Sequence, residues 1–369
     1  MPVRVRFAVA LLALLCACPA HAAGRTVRVG LYPEDRLPAR VVVESTLLEA
    51  RPRSVTKAVF SASGGRAVST PRLAAPGVES RSPMLIRAAG FPDVRAAGSL
   101  RILARGGRVQ AVLTQPLEEY AALVTAREIP LNWPPEAIAA QCVAARSFGA
   151  ASAGRHTAQG YDVCALTHCQ LWSPSPPPGA ARAAAARTAG MVLTIHGRPA
   201  AAPFASTCGG WTAEGAPAGL AAWCHARRDV REGRTLCRES PHSNWSTVLT
   251  YREVLSLFEL PATKGAVKLT ISGRDTGGRV TAISAEASKS KSLKGSDFLL
   301  RCGRKLGWAR VKSCLFNIKP VNGGFQITGR GLGHGAGMCQ WGAKALAEAK
   351  TGWREILMFY YPDAEVRKL

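Results

Sequence analysis

Residues 133–152 read WPPEAIAAQCVAARSFGAAS, and residues 134–152 of this segment predict the clearest helix of the chain. Two prolines stand at its start, where the first N–H groups of a helix have no partner within the helix. Its interior is almost entirely Ala, Val, Ile and Gln, residues that suit close packing. We therefore expect a helix that neighbouring elements enclose tightly.

The amino-acid composition changes near residue 116, ahead of this helix. Residues 23–115 are rich in Val, Ile, Arg and turn residues, and predict a small, mostly β region with strands at 26–31 and 39–43. We expect its prolines to break it into short strands; they are Pro71, Pro76, Pro83 and Pro92. Residues 116–369 predict a second domain.

That second domain mixes helices and strands. Further helices are expected at 116–126, 180–189, 339–350 and 354–360, and the proline-rich residues 174–179 predict a loop or linker. Further strands are expected at 191–196, 248–250, 266–271, 279–285 and 325–328. This order favours an α+β fold over a doubly wound sheet.

The start of the chain predicts export. Arg4 and Arg6 precede an apolar stretch at 7–17, and an Ala-His-Ala sequence ends at Ala22, as in a signal peptide covering residues 1–22. The apolar stretch is shorter than the roughly 20 residues that span a bilayer. No later segment of the sequence is long and apolar enough to predict a membrane-spanning helix. We therefore expect a periplasmic or cell-wall-associated protein.

The charge balance predicts a polyanionic neighbour. The 369 residues contain 48 Lys and Arg against 24 Asp and Glu, a formal net charge of +24. Outside the cytoplasm the neighbour would be an anionic envelope polymer rather than nucleic acid. The arginine preference of a GC-rich genome is an equally good explanation of the charge.

Glu136 is the first candidate for chemistry. It lies in the first turn of the apolar helix beside Trp133, whose flat indole suits a sugar ring. Apolar surroundings disfavour a carboxylate, so we expect a raised pKa and proton donation near neutral pH. The alternative is that Glu136 caps the start of its own helix.

His156, Cys164, His168 and Cys169 form the second candidate. Two thiols and two imidazoles within fourteen residues match the ligand types of a tetrahedral zinc site. The alternative is a Cys164–Cys169 disulfide. Elsewhere, short loops favour the pairs Cys224–Cys237 and Cys302–Cys314, and the nine cysteines after residue 22 leave at least one unpaired or metal-bound.

Two glycine-containing segments complete the set. Residues 329–343 read GRGLGHGAGMCQWGA, and the first nine of them place five glycines at every second position, so that in an extended segment one face is open to another backbone or a polymer. His334 would project from the other face, as a site residue or a structural histidine. Residues 205–212, ASTCGGWT, predict a tight or ligand-facing turn.

Together these segments resemble the SpoIID/LytB domain family over about residues 116–366. The family's patterns correspond to residues 133–146, His168-Cys169-Gln170, residues 206–212, residues 329–343 and Tyr360-Tyr361-Pro362. The sequence departs from them with a cysteine at three positions, which are Cys142, Cys208 and Cys339.

The resemblance implies a lytic transglycosylase that acts on peptidoglycan glycan strands, with Glu136 as acid and then base. It implies one structural zinc at the His/Cys group, His168 and Cys169 being the direct matches. It implies substrate contacts for Trp133, Arg146, Gln170, Ser206, Gly209, Gly210, Thr212, His334 and Gln340. The alternative function is a non-catalytic enhancer of a partner amidase.

Overall fold

A computed structural model describes residues 25–172, 177–215, 221–263 and 265–369. The predicted export signal at residues 1–22 lies outside the described residues, as does the first half of the predicted linker at 174–179. Among the helices that the structure describes, none is both long and apolar enough to cross a bilayer.

The described residues contain seven α-helices. They are α1 (Leu117–Glu128), α2 (Pro135–Ala151), α3 (Gly179–Arg187), α4 (Tyr251–Phe258), α5 (Gly295–Leu306), α6 (Gln340–Glu348) and α7 (Trp353–Tyr360). The helix expected at 134–152 is therefore confirmed as α2. The sequence analysis missed α4 and α5, although Thr250 and Glu253 form a capping box at the start of α4.

One eight-stranded sheet holds most of the N-terminal region. Its strands are β1 (Thr26–Gly30), β2 (Arg40–Leu48), β3 (Val55–Ser63), β4 (Arg66–Thr70), β5 (Gly77–Arg87), β6 (Val94–Arg105), β7 (Arg108–Pro116) and β8 (Val163–Cys164). Their spatial order is β4-β3-β2-β5-β6-β7-β1-β8, antiparallel except for the parallel pair β1 and β8.

The remaining strands form small sheets. They are β9 (Met191–Ile195), β10 (Arg198–Pro199), β11 (Phe204–Ala205), β12 (Val230–Arg231), β13 (Arg234–Thr235), β14 (Trp245–Thr250), β15 (Lys268–Arg274), β16 (Val280–Glu286), β17 (Ser290–Lys294), β18 (Phe316–Val321), β19 (Gly324–Gly329), β20 (Met338–Cys339) and β21 (Glu365–Lys368). Strands and helices thus mix without a doubly wound sheet, which confirms the α+β class.

Pro83 does not break its strand as expected. It lies inside β5, one of the two longest strands, at a register shift between Ser80 and Met84 where β5 pairs with β6. Proline has no N–H to donate, and an irregularity in the ladder is where a strand tolerates that loss. The expectation of short strands was wrong at this position.

Helix α2 is enclosed mainly by other helices. Residues 137–149 are all buried, and the helix packs against α1, α3, α6, α7 and the strands β9 and β10. Because most of its side chains are no larger than Val, the neighbours approach closely. This packing brings segments distant in sequence to the first turn of α2.

Two large hydrophobic cores organise the described chain. The larger contains residues from Val27 to Ala364 and includes both the eight-stranded sheet and the helices around α2. The second is formed by residues between Trp245 and Ile327, from β14 to β19 with α4 and α5. Strand β7 ends at Pro116 and α1 starts at Leu117, where the domain boundary is predicted.

Candidate functional site

The Glu136 carboxylate lies where three helices meet. Glu136 follows Pro135 at the start of α2, and its Oε1 accepts a hydrogen bond of 2.7 Å from Nη1 of Arg187, the last residue of α3. Its Oε2 accepts one of 2.8 Å from the backbone N–H of Trp353, the first residue of α7. The residue before α2 is Pro134, whose side chain makes no capping hydrogen bond. Glu136 therefore caps α7 and not its own helix.

The expected rise in the pKa of Glu136 is reversed in the structure. Partial burial does raise the pKa, but the hydrogen bond and charge of Arg187 and the Trp353 N–H outweigh it and hold the pKa below its ordinary value. The side chain is 31% exposed and that of Arg187 42%. Glu136 is therefore ionised at neutral pH.

Trp133 packs against other side chains and offers little surface to a sugar ring. Its ring meets that of Trp341 edge-on, with the centroids 5.2 Å apart, and Trp133 is buried in a small apolar cluster. Trp341 is half-buried and carries the Lys344 ammonium 5.4 Å from its ring centroid. Of this pair, Trp341 is the indole that offers surface to a ligand.

Gln340 and Gln170 lie in the interior beside a carboxylate that the sequence analysis missed. Gln340 donates a 3.4 Å hydrogen bond to Gln141 of α2, while Gln170 accepts one of 2.9 Å from the Tyr120 hydroxyl. Burial raises the pKa of the nearby Glu128, which accepts a backbone N–H and a bond from Gln340. Glu128 is the last residue of α1, and a carboxylate is unfavourable at the negative end of the helix dipole. An acidic residue at the end of a predicted helix was the feature of the sequence that could have indicated it.

Arg146 does not have the substrate contact expected of it. Its side chain is 0% exposed, and its Nη2 donates to Glu118 of α1 at 2.6 Å. Other bonds reach Thr188, Met191 and Ala185. Arg146 thus joins α1, α2, α3 and β9 from the inside, and the substrate prediction was wrong for this residue.

We expect Glu118→Ala to lower the free energy of unfolding by about 2 kcal/mol, because it leaves the buried guanidinium without its counter-charge although three other acceptors remain. Urea denaturation measures the change. Glu119→Ala is the matched control, since the Glu119 carboxylate is not paired with Arg146. Equal stability of the two variants would contradict the structural role of this pair.

The four His and Cys residues of the predicted metal site come together. The distance from His156 Nε2 to Cys169 Sγ is 3.3 Å, and His168 Nδ1 lies 3.8 Å from Cys164 Sγ and 3.6 Å from Cys169 Sγ. One ligand atom from each residue lies within 4.8 Å of all the others. Tetrahedral zinc places its ligand atoms about 3.3–3.8 Å apart, so the donor set fits a metal ion.

The nine cysteines of the described residues are all free thiols. The expected pairs Cys224–Cys237 and Cys302–Cys314 are therefore wrong, and the alternative Cys164–Cys169 disulfide is not formed. Cys237 instead faces Cys208 with 3.7 Å between the sulfurs. Sequence distance favoured Cys224, but the fold turns Cys237 towards a different partner.

The turn and the glycine segment lie against each other. Strands β11 and β20 pair in parallel, and Thr207 bridges Leu332. A Cβ on Gly337 would lie 2.0 Å from the Pro203 carbonyl oxygen, and one on Gly331 would lie 2.4 Å from that of Thr207. The close approach expected of the glycines is confirmed, and the approaching backbone is the chain's own. The extended conformation was wrong, since both glycines have positive φ.

The turn residues expected to bind substrate are largely enclosed. Gly209, Gly210 and Thr212 are buried, and Thr212 Oγ1 accepts a 2.9 Å bond from the Arg227 N–H. Ser206 is half-buried, and its carbonyl accepts a hydrogen bond of 3.2 Å from the backbone N–H of Trp341. Of this turn, Ser206 is the residue that combines partial exposure with a direct link to Trp341.

His334 is neutral in this structure. Its Nδ1 accepts a 3.1 Å bond from the Ala336 N–H, and burial together with the charge of Arg279 lowers its pKa to about 4. The ring lines a cavity of about 420 Å³ with Arg279, Glu214 and Asp275. Glu136 is not among the residues that line this cavity.

Known proteins resemble this chain over most of its length. The sequence profile of the SpoIID family, described as stage II sporulation protein, matches residues 105–195. Stage II sporulation protein D of Bacillus amyloliquefaciens is 30% identical over 273 residues, covering 68% of this chain and 74% of the relative. An uncharacterized protein of Brachyspira hyodysenteriae is 29% identical over 274 residues, 73% of this chain and 71% of that protein.

Another similar protein carries a different name. The amidase enhancer of Bacillus subtilis is 28% identical over 284 residues. That match covers 65% of this chain but 39% of the enhancer.

Proposed function

The chain belongs to the SpoIID family, and from this premise we propose that it is an exported lytic transglycosylase of peptidoglycan. It would cleave the bond between MurNAc and GlcNAc and leave a 1,6-anhydro-MurNAc end. The observation that supports this most is Glu136, a partly exposed carboxylate at the meeting point of α2, α3 and α7. The half-buried Trp341 indole lies close by, against Trp133.

A single carboxyl group suffices for this reaction. Its proton goes to the glycosidic oxygen as the bond from C1 to that oxygen breaks. The resulting carboxylate takes the proton of the C6 hydroxyl, whose oxygen forms the new bond to C1. The attack is intramolecular and gains the advantage of proximity. Glycoside hydrolysis, by contrast, usually requires a second carboxylate beside the bond.

The ion pair with Arg187 must loosen before Glu136 donates a proton. Arg187 is the last residue of α3 and more exposed than Glu136, so an incoming glycan strand can displace its guanidinium. Loss of the positive charge and exclusion of water both raise the pKa of a carboxyl group. Glu136 would then take up the proton that it gives to the leaving oxygen.

We expect Arg187→Gln to shift the pH dependence of kcat/KM towards higher pH. The reaction needs the protonated carboxyl, so the rate falls as pH rises through the pKa of Glu136. Arg187 lowers that pKa, and its removal moves this limb upward. Arg182→Gln on the exposed face of α3 is the matched control. An unchanged profile in Arg187→Gln would contradict the role of the pair.

The second candidate is a non-catalytic amidase enhancer. The ionised Glu136, bonded on both oxygens, favours it, and so does the likeness to the amidase enhancer. Purified protein is incubated with glycan strands, and with intact peptidoglycan plus an amidase, and the products are identified by mass spectrometry. Anhydro-muropeptides from the protein alone support the transglycosylase; faster peptide release without glycan cleavage supports the enhancer.

We also propose that His156, Cys164, His168 and Cys169 hold one structural zinc ion. Cys164 ends β8, which pairs with the first strand of the sheet, so the metal would tie the loop after α2 to that sheet. Its chemistry would be structural, through four protein ligands. The formal charge of +24 suits contact with anionic envelope polymers in the periplasm or cell wall.

A further inference from the structure

A second group of metal-ligating side chains lies outside the His/Cys cluster. Cys208, Asp229, Cys237 and Cys339 each place a ligand atom within 4.8 Å of all the others. All four residues are at most 1% exposed. They lie up to 131 residues apart in the chain, so their spacing in the sequence does not indicate a metal site.

Four separate segments deliver these residues. Cys208 lies in the turn after β11, Asp229 precedes β12, Cys237 lies in a single 3-10 turn at Leu236–Glu239, and Cys339 ends β20. Backbone hydrogen bonds hold the segments together. Asp229 N–H donates to the Gly210 carbonyl and Leu236 N–H to the Asp229 carbonyl, each at 2.9 Å.

The distances suit coordination better than a disulfide. The sulfurs of Cys208 and Cys237 are 3.7 Å apart. Two thiolates at about 2.3 Å from one tetrahedral zinc are about 3.8 Å apart, whereas bonded sulfurs are about 2.05 Å apart. The carboxylate is also in place, with Asp229 Oδ2 at 3.0 Å from the Cys208 sulfur.

Outer contacts orient these four groups. The Tyr360 hydroxyl donates to Asp229 Oδ1 at 2.6 Å, which leaves Oδ2 facing the sulfurs. The Cys208 N–H donates to the Cys339 sulfur at 3.3 Å. A Cβ on Gly342 would lie 2.0 Å from the Tyr360 oxygen, so the glycine leaves room for this arrangement. Residues that do not touch the metal commonly orient its ligands through hydrogen bonds of this kind.

A bound cation would balance the charge of this group once its thiols and carboxyl are ionised. Three thiols and a carboxyl are enclosed together, and the nearby cation is Arg279, whose Nη2 donates to the Cys208 carbonyl at 2.6 Å. Burying a carboxylate is costly unless it is paired or coordinates a metal. Sulfur-rich tetrahedral donors with one carboxylate select zinc over magnesium or calcium.

We propose that Cys208, Asp229, Cys237 and Cys339 form a second structural zinc site. The ion joins the 206–212 turn to the 329–343 segment and to the start of α6. The two segments meet at Trp341, which belongs to the 329–343 segment and whose backbone N–H donates to the Ser206 carbonyl. The site therefore holds in place the backbone beside the candidate active site, and it contributes no group to the reaction.

The test is the zinc content of the full exported chain, purified without chelator or added metal. We expect about two zinc ions per chain in the wild type and one in Cys164→Ser/Cys169→Ser, which lacks the first site. X-ray absorption of that double variant should show three sulfur ligands and one oxygen. Cys237→Ser should retain one zinc ion, and Cys302→Ser, a buried cysteine of the second core, should retain two.

Two results would overturn the proposal. One is a wild-type zinc content that disappears completely in Cys164→Ser/Cys169→Ser while that variant remains folded. The other is a disulfide between any two of Cys208, Cys237 and Cys339, detected by peptide mapping. Neither measurement depends on Cys237→Ser folding, and neither depends on glycan cleavage.

Discussion

Replacing Glu136 with Gln is expected to lower the rate of anhydro-muropeptide release by at least about 100-fold, because a general acid typically contributes 10²–10⁴-fold. Gln has the shape of Glu and still accepts the Trp353 N–H, but it cannot give up and recover a proton. The partly exposed pair with Arg187 adds little to folding, so the stability loss should stay within about 1 kcal/mol. Mass spectrometry of digested glycan strands measures the rate, and thermal unfolding measures the stability.

Glu355→Gln is the matched control for this variant. Glu355 lies in the first turn of α7, the helix that Glu136 caps, but its side chain is exposed. We expect wild-type cleavage from it. If Glu136→Gln cleaves glycan as fast as the wild type, the role of Glu136 is limited to capping α7. The proposal that the protein is a transglycosylase would then be wrong.

Removing both thiols of the His/Cys cluster is expected to free the loop after α2. Cys164→Ser/Cys169→Ser should lose one zinc ion and lower the melting temperature, since metal binding free energy is folding free energy for the segment that carries the ligands. Arg155 is exposed in that loop. Trypsin should therefore cut after Arg155 in the double variant much faster than in the wild type.

Cys302→Ser controls for the loss of a buried thiol, since Cys302 belongs to neither group of ligands. It should keep its metal and resist trypsin at Arg155. A double variant that keeps the wild-type zinc content would contradict the site. A Cys164–Cys169 disulfide in the wild type would contradict it as well.

Helix α2 could be predicted because the residues that indicate it are neighbours in the chain. The apolar run after Trp133 and Pro134 predicted α2 to within two residues at each end. Pro83 was misread because its effect depends on the neighbouring strand. A proline stops a strand only where the partner needs its N–H, and the register shift opposite β6 removes that need.

The ionisation of Glu136 was misread for a related reason. The residues beside it in sequence are apolar and predict a protonated carboxyl group. Its actual partners are Arg187 and Trp353, which lie 51 and 217 positions away. Electrostatic free energy depends on distance in space. No inspection of the first turn of α2 could have supplied those two groups.

The sequence alone was enough to predict the central helix, the α+β class, the grouping of His156, Cys164, His168 and Cys169, and the pattern shared with SpoIID proteins. Each of these depends on residues close together in the chain or on a motif that keeps its order. The tertiary structure alone decided that Glu136 is ionised, that Arg146 is enclosed and that three distant cysteines meet Asp229. Charge, burial and coordination act between atoms that folding brings together, whatever their separation in sequence.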